Sequence, residues 1–156
     1  MRPEKIKVNR TLEGTIFEFA FLVLLIVVWV FIIIVLQKAP DVVPTHFDDL
    51  GRAASYDSKY SILFAAIFTS VAGVILLGTA YFPHTINIPV KIQTPRQYAL
   101  AIRMIRVLSL VMLALTAVIA YTSLVAVSPS AVPILAVVGL MFAVIIVFCV
   151  LIFKAK

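Results

Sequence analysis

The chain has 156 residues, 63% of them hydrophobic and only 13% charged. With a mean hydropathy of +1.17, that balance excludes a water-soluble globular domain and places the chain among membrane proteins. The formal charge of +6 then belongs to contact with anionic lipid headgroups. Nucleic-acid binding is not expected, because the basic residues lie near the ends of apolar runs and no RNA- or DNA-reading motif accompanies them.

The first apolar run, Thr15 to Leu36, is broken only by Glu18 near its start. At the helical rise it reaches about 33 Å, enough to cross the hydrocarbon core of a bilayer. A basic leader precedes it, but the run is too long for a signal-peptide core and ends Leu36-Gln37-Lys38-Ala39-Pro40 with no small-residue cleavage site, so it reads as an uncleaved anchor. Glu18 has two readings. It either snorkels to the near interface or pairs with Arg103 or Arg106 of the third helix.

A polar loop follows, from Gln37 to Tyr60. Pro40 and Pro44 stiffen its start and Gly51 permits a turn with positive φ. Phe47, Leu50 and Tyr56 are apolar enough to fold the loop down onto the helix ends. Its His46 beside Asp48 and Asp49 admits a structural role, recognition of a peptide or protein, or a metal or acid–base pair. One histidine with neighbouring carboxylates is sparse for zinc, and His84 is expected across the membrane. No metal, cofactor or catalytic residue is therefore assigned, and no phosphate-binding loop, dinucleotide fingerprint, zincin pair or nucleophile elbow occurs in the sequence.

Ser61 to Phe82 is a second uncharged run. Beyond it, Ile86, Ile88, Val90 and Ile92 alternate with Asn87, Pro89 and Lys91, suggesting a short extended segment against the membrane. Thr94-Pro95-Arg96-Gln97 carries agreeing signals for a helix start: a capping threonine, proline at the first position and a glutamine able to close a capping box. A helix from Pro95 to Tyr121 would be about 40 Å long, so its first turns should lie at the interface. Arg96, Arg103 and Arg106 fall within a sector of about 80° at 100° per residue and read as a stripe anchoring to lipid headgroups. The last run, Ala131 to Phe153, contains the single cysteine, Cys149, which reads as a small hydrophobe.

The spans are thus about 15–36, 61–82, 99–121 and 131–153, and residues 1–156 form one polytopic membrane domain. Ten of the thirteen Lys and Arg residues fall in the leader, the segment from Pro83 to Arg106 and the tail. Both termini are therefore expected in the cytoplasm and the His46 loop outside. The expected fold is an all-α membrane protein, a four-transmembrane-helix bundle with an ordered extracytoplasmic loop between helices 1 and 2. Small residues spaced four apart, Ala66 and Ser70 or Gly139 and Ala143, offer close helix contacts within the chain or in a homo-oligomer.

One stretch of the loop resembles a known family. Leu36, Pro40, Pro44-x-His46-Phe47-Asp48-x-x-Gly51, Tyr56 and Ser58-Lys59, set between two spans, are similar to the DUF1648 family of bacterial membrane proteins over roughly residues 24–70. That family shows a P-x-H-[FW]-[ND]-x-x-G segment followed by an aromatic residue and S-K. It commonly has P-D-G between the glycine and the aromatic, where this chain has Ala53-Ala54-Ser55. Its domain also forms the N-terminal part of SdpI-type immunity proteins, which are longer membrane receptors that protect a cell from a secreted toxic peptide. The resemblance implies a bacterial inner-membrane protein in which Pro44, His46, Phe47, Asp48, Gly51, Tyr56 and Lys59 form a structural or ligand-contacting motif. Its leading functional reading is non-enzymatic recognition of a peptide or protein ligand. An accessory subunit of a membrane complex and a metal-dependent surface enzyme or transporter are the alternatives.

Overall fold

The computed structural model describes residues 9–90 and 92–155. Four helices long and apolar enough to cross a membrane make up most of it: α1 (Leu12–Lys38), α2 (Ser61–Thr79), α3 (Pro95–Leu124) and α4 (Val132–Lys154). The basic leader before Asn9 lies outside the described residues. Helix α1 begins earlier than its apolar run because Thr11 caps it, its hydroxyl accepting from the amide of Gly14 at 3.1 Å. It ends where Pro40 holds Ala39 extended (ψ 149°). Helix α2 stops at Thr79, short of Phe82, as the chain tightens into i+3 turns ahead of a 3₁₀ turn at Pro83–Thr85.

The capping box at α3 forms as its residues imply. Thr94 Oγ1 accepts from the Gln97 amide at 3.3 Å, and Gln97 Oε1 accepts from the Thr94 amide at 3.1 Å. Gln97 also donates through Nε2 to the Ile152 carbonyl at 3.2 Å, tying the start of α3 to the end of α4. The alternating segment before this helix forms no strand among its described residues. Ile86 and Ile88 instead pack on Ala80, Ile102, Met104 and Ile105, and Pro89 has no N–H to give a ladder.

Helix α3 is the centre of the bundle. Half of its apolar window is buried, whereas none of α4's is, and the other three helices pack around α3. Two polar contacts cross the bundle: Thr69 Oγ1 of α2 and Thr116 Oγ1 of α3 lie 2.7 Å apart, and Trp29 Nε1 of α1 donates to Ser70 Oγ of α2 at 3.2 Å. Arg106 Nη2 and Thr122 Oγ1 on α3, by contrast, are buried with no hydrogen-bond partner among the described residues. Cys149 is a free, half-buried thiol on α4, which is compatible with a packing role.

The segment between α1 and α2 forms a two-stranded antiparallel hairpin of β1 (Val42–Phe47) and β2 (Ala53–Ser58), an element the all-α reading did not contain. Pro44 pairs with Tyr56 and His46 with Ser55, leaving Thr45 as an extra residue. Phe47 then pairs with Ala53, leaving Ala54 extra on the other strand. The two irregularities compensate, and the first sits beside the proline that cannot donate to the ladder.

Candidate ligand-binding cleft at the hairpin end

Most of the loop motif builds the hairpin itself. Asp48 Oδ1 accepts from the amides of Leu50 (2.9 Å) and Arg52 (2.8 Å), while Oδ2 accepts from Arg52 Nε at 3.0 Å. Gly51 closes the turn, its amide donating to the Asp48 carbonyl at 2.8 Å with φ at +74°. The Gly51 carbonyl then accepts from the Ala131 amide at 2.9 Å, so the hairpin tip docks on the α3–α4 connection. At the base, Lys59 Nζ donates to the Ala39 carbonyl (3.2 Å) and reaches Asp41 at 3.1 Å, joining the end of α1 to the start of α2. Asp41 is almost wholly exposed, so the bond to the carbonyl carries most of this contact's worth.

The seating of the hairpin differs from expectation. Leu50 and Tyr56 are exposed, and Phe47 is half-buried. Val43 and Pro44 are the residues that go in, Val43 joining a core with Val28, Ile32, Ile62, Ala120 and Leu124. The reason is the docking of one strand only: β1 lies against the bundle and buries the adjacent Val43 and Pro44, whereas five of the six residues of β2 face outward. His46 is exposed, with its Nδ1 2.9 Å from Ser55 Oγ and 3.2 Å from Thr45 Oγ1. Ser55 stands in the stretch that departs from the family pattern, and it gives the imidazole a cross-strand hydroxyl.

The backbone amide of Arg52, followed by its guanidinium and the Leu50 amide, holds the Asp48 carboxyl below the ordinary aspartate range, against a smaller opposing effect of desolvation. Its contribution to the hairpin is therefore complete above the ordinary aspartate value of about 3.9 and is lost as pH falls through the lower folded value. The amide resonances of Leu50 and Arg52 should titrate together with a midpoint below that ordinary value, and Asp48→Asn should abolish the titration. A midpoint at or above it would show that these hydrogen bonds contribute nothing.

Beside the hairpin, between it and the ends of three helices, lies a cleft of about 380 Å³. Thr45, His46 and Asp57 line it from the strands; Ser61, Ile62, Ala65, Ile119, Ser123 and Ile134 line it from α2, α3 and α4. That size and mixture, apolar walls with a few polar groups, suit a side chain or short peptide segment. Of the motif residues, only His46 and Phe47 reach it. Asp57, Ser61 and Ile134 were not singled out in the sequence, and no local signal marks them, because they converge from separate elements. Among the described residues no group of three His, Cys, Asp or Glu side chains is placed to hold a metal ion. His84 follows α2 at the opposite end, edge-on to Phe82.

At that opposite, terminal end the arginine stripe divides. Arg96 is exposed, and Arg103 forms a two-pronged pair with Glu13, Nε to Oε1 at 2.7 Å and Nη2 to Oε2 at 2.8 Å. Arg106 is only 4% exposed, which removes it from headgroup anchoring. Its guanidinium lies 6.0 Å from the centre of the Tyr81 ring and packs over Gly14, where a Cβ would come within 2.6 Å of Nη2. Glu18 neither snorkels freely nor pairs with Arg103 or Arg106. It accepts from the Tyr81 hydroxyl and from Arg10, while Glu13, one turn earlier, takes Arg103.

A central helix with three others packed on it, closed at one end by a clasped hairpin, defines a four-span integral membrane protein in contact with the lipid bilayer. Residues 23–69 match the family described as a domain of unknown function, DUF1648, and the chain is a DUF1648 domain-containing protein. The matched stretch runs from within α1 through the hairpin to Thr69 of α2, a helix–hairpin–helix unit. Neither the curated proteins nor the solved structures give a match to the chain.

Proposed function

We propose that this protein is a non-enzymatic recognition protein of the immunity type, whose hairpin and adjoining cleft contact a peptide or protein ligand. The observation that carries the reading is the cleft: His46, Asp57 and Thr45 from the hairpin meet apolar side chains from three helices around one volume of about 380 Å³. A peptide side chain entering it would bury apolar surface while its backbone met the polar groups. The Lys and Arg distribution supports a bacterial inner-membrane orientation with both termini cytoplasmic and the hairpin outside. The SdpI-type resemblance of the loop motif supports the immunity class.

A photo-crosslinking residue at Thr45, compared with one at Phe82 on the opposite end, tests this in cells challenged with secreted peptides. An adduct at position 45 that disappears when Ile134→Trp fills the cleft is expected, together with loss of protection from the cognate peptide. An adduct untouched by Ile134→Trp would sink the cleft as the ligand site. The accessory-subunit reading draws on the open space around Gly139 on α4. It would instead give crosslinks from that face, insensitive to the hairpin.

A further inference from the structure

We propose that the terminal end of the bundle carries a selective site for one acidic phospholipid, between the first turns of α3 and the last turn of α4. A cavity of about 430 Å³ opens there, with Arg96, Arg103 and Lys154 as its charged lining and Leu100 and Leu151 among its apolar walls. Among the described residues no carboxylate lines it. Arg103 is already neutralised from α1 by Glu13, whereas Arg96 and Lys154 make no ion pair among the described residues. The site therefore presents about two uncompensated positive charges to a ligand.

The walls are held apart by structure rather than by the ligand. Gln97, one residue after Arg96, is buried and bonded to the Ile152 carbonyl at 3.2 Å, two residues before Lys154. Both cations thus project from a clamped junction of two helices, which lowers the ordering cost of binding. The ligand chemistry follows from the lining. A phosphate satisfies the cations, and an attached hydrocarbon chain satisfies Leu100 and Leu151, which a free phosphate would leave in contact with water. The cations of the cavity also stand just beyond the uncharged runs 107–121 of α3 and 131–153 of α4, where a helix leaving hydrocarbon meets headgroups. A zwitterionic lipid brings its own cation toward Arg96 and Lys154; a net-anionic headgroup does not. This site differs from the stripe expected from the sequence in two ways: Lys154 from another helix joins it, and Arg106, buried against Gly14, does not.

Native mass spectrometry of the delipidated protein titrated with phosphatidylglycerol or phosphatidylcholine tests the proposal. The expected result is a one-to-one adduct with phosphatidylglycerol, weakened by about thirtyfold in the Arg96→Gln, Lys154→Gln double variant at roughly 1 kcal/mol per cation. Both residues are exposed and unpaired among the described residues, so circular dichroism of the double variant should match the wild type, and Lys38→Gln at the hairpin end should bind as the wild type does. Equal binding of the two lipids, or an unchanged double variant, would overturn the site. Displacement of the lipid by millimolar glycerol 3-phosphate, with that compound forming its own stable adduct, would show the ligand to be a soluble phosphate and overturn the lipid assignment.

Discussion

Gly73→Leu is expected to be the most damaging single substitution in the membrane-spanning part of this protein, at about 3 kcal/mol or more, the upper range for overpacking. A Cβ at position 73 would lie 3.3 Å from Phe21 of α1 and 3.4 Å from Met112 of α3. Those distances demand a small adjustment from an alanine. A leucine adds a branched group with no space beyond the Cβ, so α1 or α3 must move away from α2. Trp29, bonded to Ser70 one turn from Gly73, provides the readout: its fluorescence should report unfolding in detergent at a Tm lower by about 10 °C. Gly139→Leu is the control, since nothing lies within 4 Å of its Cβ position, and it should melt with the wild type. Equal melting of the two variants would mean that α1, α2 and α3 are not packed at this glycine.

The same comparison separates the small residues that looked alike in the sequence. Ala66 and Ser70 are buried in the bundle, whereas Gly139 and Ala143 face outward from α4. Spacing alone shows that a helix face is smooth. It does not show which neighbour, if any, covers it.

Gly51→Val is the second large effect, and it should be local. The backbone there has φ at +74°, a region in which a β-branched residue is strained by about 2 kcal/mol. Space is not the problem, because the nearest atom to an added Cβ is Ala131 Cβ at an ordinary 3.6 Å. The strain should release the turn, withdraw the Gly51 carbonyl from the Ala131 amide, and speed exchange of that amide by about tenfold or more while the helices keep their protection. Gly51→Asn should be milder, since asparagine visits this conformation more readily. If the Ala131 amide exchanges in Gly51→Val as in the wild type, the hairpin tip is not docked through this bond.

The division between what was legible and what was not follows physical range. Hydropathy is a property of each residue and its immediate neighbours, so the four spans, the capping box at Thr94 and the stop at Pro40 could be read from the chain alone. Their errors are a few residues at the helix ends, where caps such as Thr11 extend a helix past its apolar run. The hairpin was legible only as a constrained loop, because Thr45 and Ala54 break the two-residue period that announces strands. The DUF1648 motif was recognisable by its spacing, yet its spacing did not say that Asp48 and Gly51 build a turn while His46 alone among the polar motif residues lines a cleft.

What the tertiary structure decided are the pairings between separate helices. Glu13 and Glu18 lie in adjacent turns of α1, and Arg103 and Arg106 in adjacent turns of α3. Helix depth and rotation, set by how α1 leans on α3, chose Glu13 for Arg103 and sent Arg106 inward over Gly14. The cleft likewise exists because the hairpin docks where α2, α3 and α4 end together. The sequence by itself determined that this chain spans a membrane four times and carries a stiff motif between the first two spans, since burying apolar surface in lipid needs no partner. Which charges meet, and which side chains share a cavity, was settled only when the helices packed, because each depends on the relative rotation of elements far apart in the chain.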